Sequence, residues 1–468
     1  MFNTAVFTNK LIQSASIYML TDFFLKGFSI ITMPIFTRLL STSDYGIVAL
    51  YNTWVSIFTI TISLSLSNSL GIAKSDFTDR YDQFASSVLF LSLILFISFL
   101  IVFSFARQTF TVVTGLSVSL LILAIFQAYF RFIKTYVIFK LRFEYKANRV
   151  SIITIISTLV GAALSIALIL FVADENRYFG RILGEFLVVA LVAIPCFVFI
   201  MRRGKKLIDL GFWKYALCYS TPLVISELSV LINASFDKIV INKYLGNAPT
   251  GIYSFAYSVS MIASIIFASS NLAWTPWFYD KMKSKEFTLI QKASLVYRDL
   301  FALGYTGLLF ISPEMVRLLA DERYWEGLYL VPWVFMAVYF HFMAFFETRV
   351  QGYHKKTYLN AVGTMLSAGL NMLLNILFVP KYGYPAAAIT TAISFFCFFL
   401  FHFYATRNIL GISLYGAAFH TKSLAYLAIA TTIFFTAGHI AYLRIAVLLF
   451  VAYALFKVCK NSIKTFRL

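Results

Sequence analysis

The feature that most limits what this chain can fold into is the length of its apolar blocks. Segments 84–106, 150–172 and 379–404 run for more than twenty residues, the last interrupted only near its start. A helix gains 1.5 Å per residue, so about 20 apolar residues cross the ~30 Å hydrocarbon layer of a bilayer. Membrane-spanning strands would instead appear as ~10-residue segments of alternating polarity, and none is visible. Composition agrees. The chain is 60% hydrophobic, and Asp, Glu, Lys and Arg make up 13%, against about a quarter in soluble domains. The expected fold is an all-α membrane bundle.

Apolar runs set against breaks predict about fourteen transmembrane helices. They fall at 13–37, 45–70, 84–106, 110–131, 150–172, 180–201, 213–241, 250–277, 293–312, 328–349, 358–379, 384–406, 422–438 and 441–459. The first apolar stretch is too long for the core of a cleavable signal peptide, so it reads as the first span. With the N-terminus in the cytoplasm, segments 71–83, 132–149, 202–212, 278–292, 350–357, 407–421 and the C-terminal tail lie inside. Most of the 39 Lys and Arg then fall on that side. They include Lys134, Lys140, Arg142, Lys146 and Arg149, then Arg202, Arg203, Lys205 and Lys206. Lys281, Lys283 and Lys285 follow, with Lys457, Lys460, Lys464 and Arg467 in the tail. This is the positive-inside pattern. The net charge of +19 is therefore a topology signal beside anionic lipid, and no nucleic-acid partner is expected.

No loop is long enough to hold a soluble catalytic domain, and no G-x-x-x-x-G-K-[ST] phosphate loop is present. Cys196, Cys218, Cys397 and Cys459 lie far apart, without metal-ligand or disulfide spacing. They read as packing residues, with no metal or cofactor expected.

Two stretches match at an offset of 205 residues. Phe36-Thr-Arg-Leu-Leu-Ser-Thr-Ser-Asp-Tyr-Gly46-Ile47 enters the second span, and Ile241-Asn-Lys-Tyr-Leu-Gly-Asn-Ala-Pro-Thr-Gly251-Ile252 enters the eighth. Arg38 meets Lys243, Gly46 meets Gly251, and the same offset places Asp22 on Glu227. A weaker match near offset 208 pairs Tyr145 with Tyr353 and Gly161 with Gly369. A repeat of six spans keeps both copies in the same orientation, related by an axis along the membrane normal. The predicted organisation is two parallel six-helix bundles, 1–205 and 206–410, plus a C-terminal helix pair with a basic tail, 411–468.

The segment Lys26-Gly-Phe-Ser-Ile-Ile-Thr-Met-Pro34 through Arg38 to Gly46 resembles the first-span signature of polysaccharide-type transporters. Asp237-Lys238 with Gly251-Ile-Tyr-Ser-Phe-Ala256, and Ser312-Pro-Glu-Met-Val-Arg-Leu-Leu-Ala320 with Tyr324 and Pro332, resemble the same family. So do Asn371-Met-Leu-Leu-Asn375, Pro380-Lys-Tyr-Gly383 and Ala386-Ala-Ala-Ile-Thr-Thr391. The resemblance covers most of the chain and is closest to Wzx-type O-antigen or oligosaccharide flippases of the multidrug/oligosaccharidyl-lipid/polysaccharide superfamily. Pro385 departs from it, where the family usually has glycine. The resemblance implies a bacterial inner-membrane transporter, not an enzyme, with both termini cytoplasmic. Its substrate would be an oligosaccharide on undecaprenyl diphosphate, moved to the periplasmic leaflet, with H⁺ or Na⁺ as a possible coupling ion. A polysaccharide polymerase and a chain-length regulator are the implied protein partners.

Such a substrate cannot cross hydrocarbon unaided, because unpaired charge and unsatisfied hydroxyls are costly there. Charges inside the spans are the natural candidates for handling it. Lys26, Lys238, Arg38, Arg298 and Arg349 are the candidate diphosphate or sugar contacts; Asp22, Glu227 and Asp237 are the candidate ion-coupling acids. Asp22 and Lys26 are one turn apart, so the alternative is an ion pair that neutralises itself. Glu227 has a structural hydrogen bond to Ser or Thr as its alternative. Snorkelling to headgroups competes for Arg38 and Lys243. Glu347 and Arg349 close span 10, Arg298 begins span 9, and Arg181 and Glu185 read as a local pair. His341 and His402 read as packed, hydrogen-bonded neutral residues. Pro34 and Pro222 offer points of bending, and Trp274, Trp277 and Tyr279 form an interfacial belt.

A cation-coupled multidrug antiporter of the same superfamily is the alternative function, and a peptidoglycan-precursor flippase lies closer still. A membrane polymerase would carry a long periplasmic loop. An acyltransferase would need a buried histidine with an acidic partner, which neither His341 nor His402 has in sequence.

Overall fold

The computed structural model describes the backbone of residues 4–172 and 176–466, and side chains at 14, 16–172 and 176–461. Arg467 therefore lies outside the described residues, as does the side chain of Lys464. Among the described residues every regular element is helical. The first half runs α1 (Thr4–Leu39), α2 (Thr42–Ser63), α3 (Ser69–Asp76), α4 (Tyr81–Phe105), α5 (Arg107–Thr114), α6 (Val118–Phe143), α7 (Ala147–Phe171) and α8 (Arg177–Gly204). There follow α9 (Leu210–Leu245), α10 (Asn247–Lys283), α11 (Phe287–Leu319), α12 (Val331–Tyr353), α13 (Thr357–Tyr382), α14 (Pro385–Tyr404), α15 (Ala417–Ala437) and α16 (Ala441–Phe466). Thirteen of the described helical segments are long and apolar enough to cross a membrane, so the protein is a multi-pass membrane bundle. The fourteenth expected span is α15. It forms a helix, but His420, Thr421, Lys422 and Ser423 in its opening turns lower its apolar character. The chain divides into two compact units, Met1–Gly251 and Ile252–Leu468.

Two spans differ from their sequence outlines. The second, expected unbroken over 45–70, stops at Ser63. Leu64 (φ 46°) and Ser65 (φ 55°) both adopt the left-handed conformation, which costs about 1–2 kcal/mol for a residue with a Cβ. A short 3-10 turn, Leu66–Asn68, then leads into α3. The fourth, expected at 110–131, is two helices. α5 ends at Gly115 (φ +69°), and α6 starts after Ser117, whose hydroxyl accepts from the Leu120 amide. Because α6 continues to Phe143, Lys134, Lys140 and Arg142 sit on a helix rather than in a loop.

The repeat is visible in the backbone. α2 begins at Thr42 and α10 at Asn247, 205 residues apart. α2 opens on a capping box, in which the Ser41 hydroxyl accepts from the Asp44 amide and the Asp44 carboxylate accepts from the Ser41 amide. Five residues into each helix, Gly46 of α2 and Gly251 of α10 meet each other. A Cβ on Gly46 would sit 2.0 Å from the Asn247 carbonyl oxygen, and one on Gly251 would sit 1.8 Å from that of Thr42. The two glycines that the repeat equates are thus required by one shared backbone contact.

Three helix-to-helix turns share one form. Where α6 passes to α7, the Lys146 amide donates to Leu141 and the Tyr145 amide to Arg142. Where α12 passes to α13, Lys356 donates to Gln351 and Lys355 to Gly352. These are the same Schellman turn, with Tyr145 (φ 56°) and Lys355 (φ 60°) left-handed. The α10-to-α11 turn has the same form, with Glu286 donating to Lys281 and Lys285 (φ 60°) to Met282.

The glycine contact makes a direct test. Gly251→Ala is expected to destabilise the purified protein by about 1–3 kcal/mol, the usual cost of overpacking. Gly161→Ala, where nothing lies within 4 Å of the new Cβ, is expected to be neutral or to stabilise by up to ~1 kcal/mol through helix propensity. Thermal unfolding in detergent measures both; equal melting temperatures for the two variants would contradict the assignment.

Candidate functional site

The break in α2 leaves backbone and hydroxyl groups that a continuous helix would have used, and α9 supplies their partner. Ser65 donates its hydroxyl to Glu227 at 2.6 Å, and the Asn68 side-chain amide donates to the same carboxylate at 2.8 Å. Glu227 therefore sits at an interruption of a spanning helix, and one of its partners is a serine. Such interruptions are tolerated at membrane depth where they are buried in protein or line a cavity.

On α1, Asp22 is exposed and Lys26 half-buried. They form no ion pair with each other, and no protein acceptor holds Lys26 among the described residues. The self-neutralising alternative is absent here. Pro34 and Pro222 lie inside continuous helices, α1 and α9, at positions the repeat does not equate. Further along α9, Asp237 is buried and Lys238 half-buried. Arg38 is exposed at the end of α1, and the Lys243 ammonium lies over the ring of Tyr244 at 5.6 Å.

The first unit also holds a charge that the span outline concealed. Arg131 lies in the middle of α6, donating to Ser56 of α2 at 3.3 Å and pairing with Glu185 of α8 at 2.9 Å. Drawing the fourth span to end at residue 131 made this arginine a boundary residue. Glu185 was expected to pair locally with Arg181; it turns to Arg131, and Arg181 lies over the Phe36 ring at 3.9 Å. Beside them Lys134 donates to Ser157 of α7 at 2.5 Å.

A second charged cluster ties the ends of α4, α6 and α8. Lys140, only 3% exposed, pairs with Asp82 at 2.7 Å and with Glu144. Arg203 joins Asp82 at 2.8 Å, and Lys146 pairs with Glu144. Burial raises the Glu144 pKa, but hydrogen bonds from Lys140 and Lys146 outweigh it and leave the carboxyl below its ordinary value of 4.5.

In the second unit, Arg298 and Glu347 converge on α15. Arg298 lies three turns inside α11 rather than at its start, because that helix begins at Phe287. It pairs with Asp299 at 2.7 Å and donates to the Phe419 carbonyl. Glu347 accepts from, or pairs with, His420 Nε2 at 2.8 Å, both side chains under 5% exposed. This is a buried histidine with an acidic partner, which sequence reading missed because the two are 73 residues apart. Arg349 lies over the Phe345 ring at 5.0 Å. Glu314, from the Ser312-Pro-Glu motif, pairs with Arg444 of α16. Between α13 and α14, Asn371, Asn375, Thr390 and Thr391 form a buried hydrogen-bonded seam. Trp274 and Trp277, 4.9 Å apart, line a groove of about 850 Å³ with Tyr297 and Lys292.

The two histidines of the middle spans differ. His402 is buried and bonded to Gln351 at 2.8 Å, as expected of a packed imidazole. His341 is exposed, with no hydrogen bond to protein among the described residues, contrary to the packed reading.

A family model described as "Polysaccharide biosynthesis protein" matches residues 11–282. An "Uncharacterized membrane protein" of Haemophilus influenzae is 22% identical over 323 residues, 67% of this chain and 75% of that one. The "Lsg locus putative protein 1" of the same organism is 20% identical over 289 residues, 60% and 69% of the two chains. Among solved structures, "Lipid II flippase MurJ, inward closed conformation" is similar with a TM-score of 0.73 at 15% identity, over 95% of this chain and 99% of that one. An inward-facing multidrug resistance MATE family transporter of the MOP superfamily gives 0.62 at 15% identity, over 85% and 96%. The fold is the one these transporters share.

The Glu144 cluster carries a pH signature. A carboxyl whose folded pKa is depressed contributes stability above its ordinary pKa and loses it as pH falls through the folded value. The wild-type advantage in melting temperature over Glu144→Gln is expected to be full at neutral pH and to shrink below pH 4.5. An advantage that grows on acidification would contradict the pairing.

Proposed function

The chain belongs to the polysaccharide biosynthesis protein family, and on that premise we propose that it flips an undecaprenyl-diphosphate-linked oligosaccharide, such as an O-antigen repeat unit. The movement runs from the cytoplasmic to the periplasmic leaflet of a bacterial inner membrane, with both termini cytoplasmic. Alternating access between its halves exposes the site to one leaflet and then the other. The fold supports this reading, since a structure named for flipping lipid II has it.

The observation that carries the proposal is Lys26. It stands in the middle of a 24-residue candidate span, Ser16–Leu39, with no acceptor from the protein among the described residues. A cation at that depth is costly unless something pairs with it. In this reading the substrate diphosphate supplies the missing anion, with Lys238 as a second contact. Arg38 meets the headgroup region, and Arg298 and Arg349 are the further contacts for diphosphate or sugar. Asp22, Glu227 and Asp237 are the coupling acids, for H⁺ or Na⁺. Glu227 suits the role through its place at the α2 break, where losing its charge removes the acceptor of Ser65 or Asn68. A polysaccharide polymerase and a chain-length regulator would take the product onward.

The exposed Asp22 and the MATE-like fold favour one second reading, a cation-coupled drug antiporter. Tight binding of a lipophilic cation, competed by protons, would decide for it.

Lys26→Ala is expected to abolish surface polysaccharide at unchanged membrane protein level, with Lys26→Arg retaining part of it. In vesicles, Glu227→Gln is expected to lose dependence on an imposed ion gradient. Normal export by Lys26→Ala would remove it as a diphosphate contact; lysis on depletion would redirect the proposal to a peptidoglycan precursor.

A further inference from the structure

α12 is the most enclosed spanning helix of the second unit. From Val331 to Gln351 one residue alone is exposed, His341, at the middle of the helix. Helix geometry shows what kind of exposure this is. A helix face turned to lipid exposes residues three and four positions away together, because they share that face. Here Ala337, Val338, Ala344 and Phe345, the residues on either side along that face, are all buried. His341 therefore opens onto a recess and not onto a lipid-facing stripe.

The recess has aromatic walls from two helices. Phe267 of α10 lies 5.4 Å from the imidazole, edge to face. Phe395 and Phe398 of α14 lie at 5.4 and 5.9 Å. Both imidazole nitrogens are unused by the protein among the described residues. An ionisable side chain within a span faces a cavity or a partner, and marks a substrate path by default. Ligand sites combine apolar and aromatic walls with a few polar groups that fix orientation.

We propose that His341 and the rings of Phe267, Phe395 and Phe398 form a subsite for the sugar portion of the transported lipid; this rests on the flippase reading. A neutral imidazole offers one donor and one acceptor, which matches a hydroxyl that both gives and takes a hydrogen bond. The phenyl rings take the C–H face of the same sugar. A diphosphate fits poorly, because it calls for cations and the ring is walled by phenyls.

The test uses the full chain in proteoliposomes, with Cys196, Cys218, Cys397 and Cys459 replaced by serine and His341→Cys added. A charged, membrane-impermeant thiosulfonate is expected to modify residue 341. Undecaprenyl-diphosphate-linked oligosaccharide should slow that reaction several-fold, and undecaprenyl diphosphate without sugar should not. Modification only by a lipid-soluble maleimide would overturn the recess. Equal protection by the sugarless carrier would overturn the sugar assignment. If the cysteine-free parent transports the oligosaccharide yet residue 341 gains no protection, the subsite alone fails. If that parent moves no lipid-linked oligosaccharide, the flippase reading itself fails, and the subsite falls with it. In an otherwise wild-type chain, His341→Ala should raise the half-saturating substrate concentration roughly three- to tenfold, the worth of about one hydrogen bond. His341→Gln should restore part of it. An unchanged half-saturation in His341→Ala would contradict the role.

Discussion

Hydrocarbon offers no hydrogen bonds, so every polar group that enters it must find its partner inside the protein or in what the protein carries. The helices meet this for the backbone. The side chains then divide into those the protein satisfies and those it leaves open. Arg131, Lys134, Lys140, Glu347 and His402 all have partners on neighbouring helices. Each joins two or more spans, and a buried pair that loses one member is left with a costly lone charge. Within each unit they tie the spans to one another.

Lys26 and His341 are among the groups left open within the described residues, and they differ in kind. One is a cation without an anion, the other a neutral donor and acceptor among phenyl rings. A lipid-linked oligosaccharide has both complements, a diphosphate and a set of hydroxyls. A drug cation has neither. The contrast between satisfied and open groups is the reasoning by which a transport path can be told from a structural network when both are built from the same residue types.

Much of the bundle was legible because hydropathy and helix rise leave few alternatives for a 25-residue apolar segment such as α7. The repeat was legible at Gly46 and Gly251 because one backbone contact requires both glycines. The α2 break was not. Leu64 and Ser65 turn left-handed without glycine or proline to announce it, and what stabilises the turn includes Glu227, more than 150 residues away. Arg131 was hidden by a boundary drawn too early, and His420 by its distance in sequence from Glu347. Single-chain patterns report which residues share a helix face; they do not report whether that face meets a neighbour or a void. His341 depended entirely on that distinction.

On the proposed reading the open groups serve a lipid-linked oligosaccharide. Its most direct test is translocation of a fluorescent undecaprenyl-diphosphate oligosaccharide in proteoliposomes, scored by the fraction shielded from an impermeant quencher. Protein-dependent translocation of the glycosylated carrier is expected, and none for a lipophilic drug cation. Translocation of the drug cation with the oligosaccharide left in its original leaflet would contradict it.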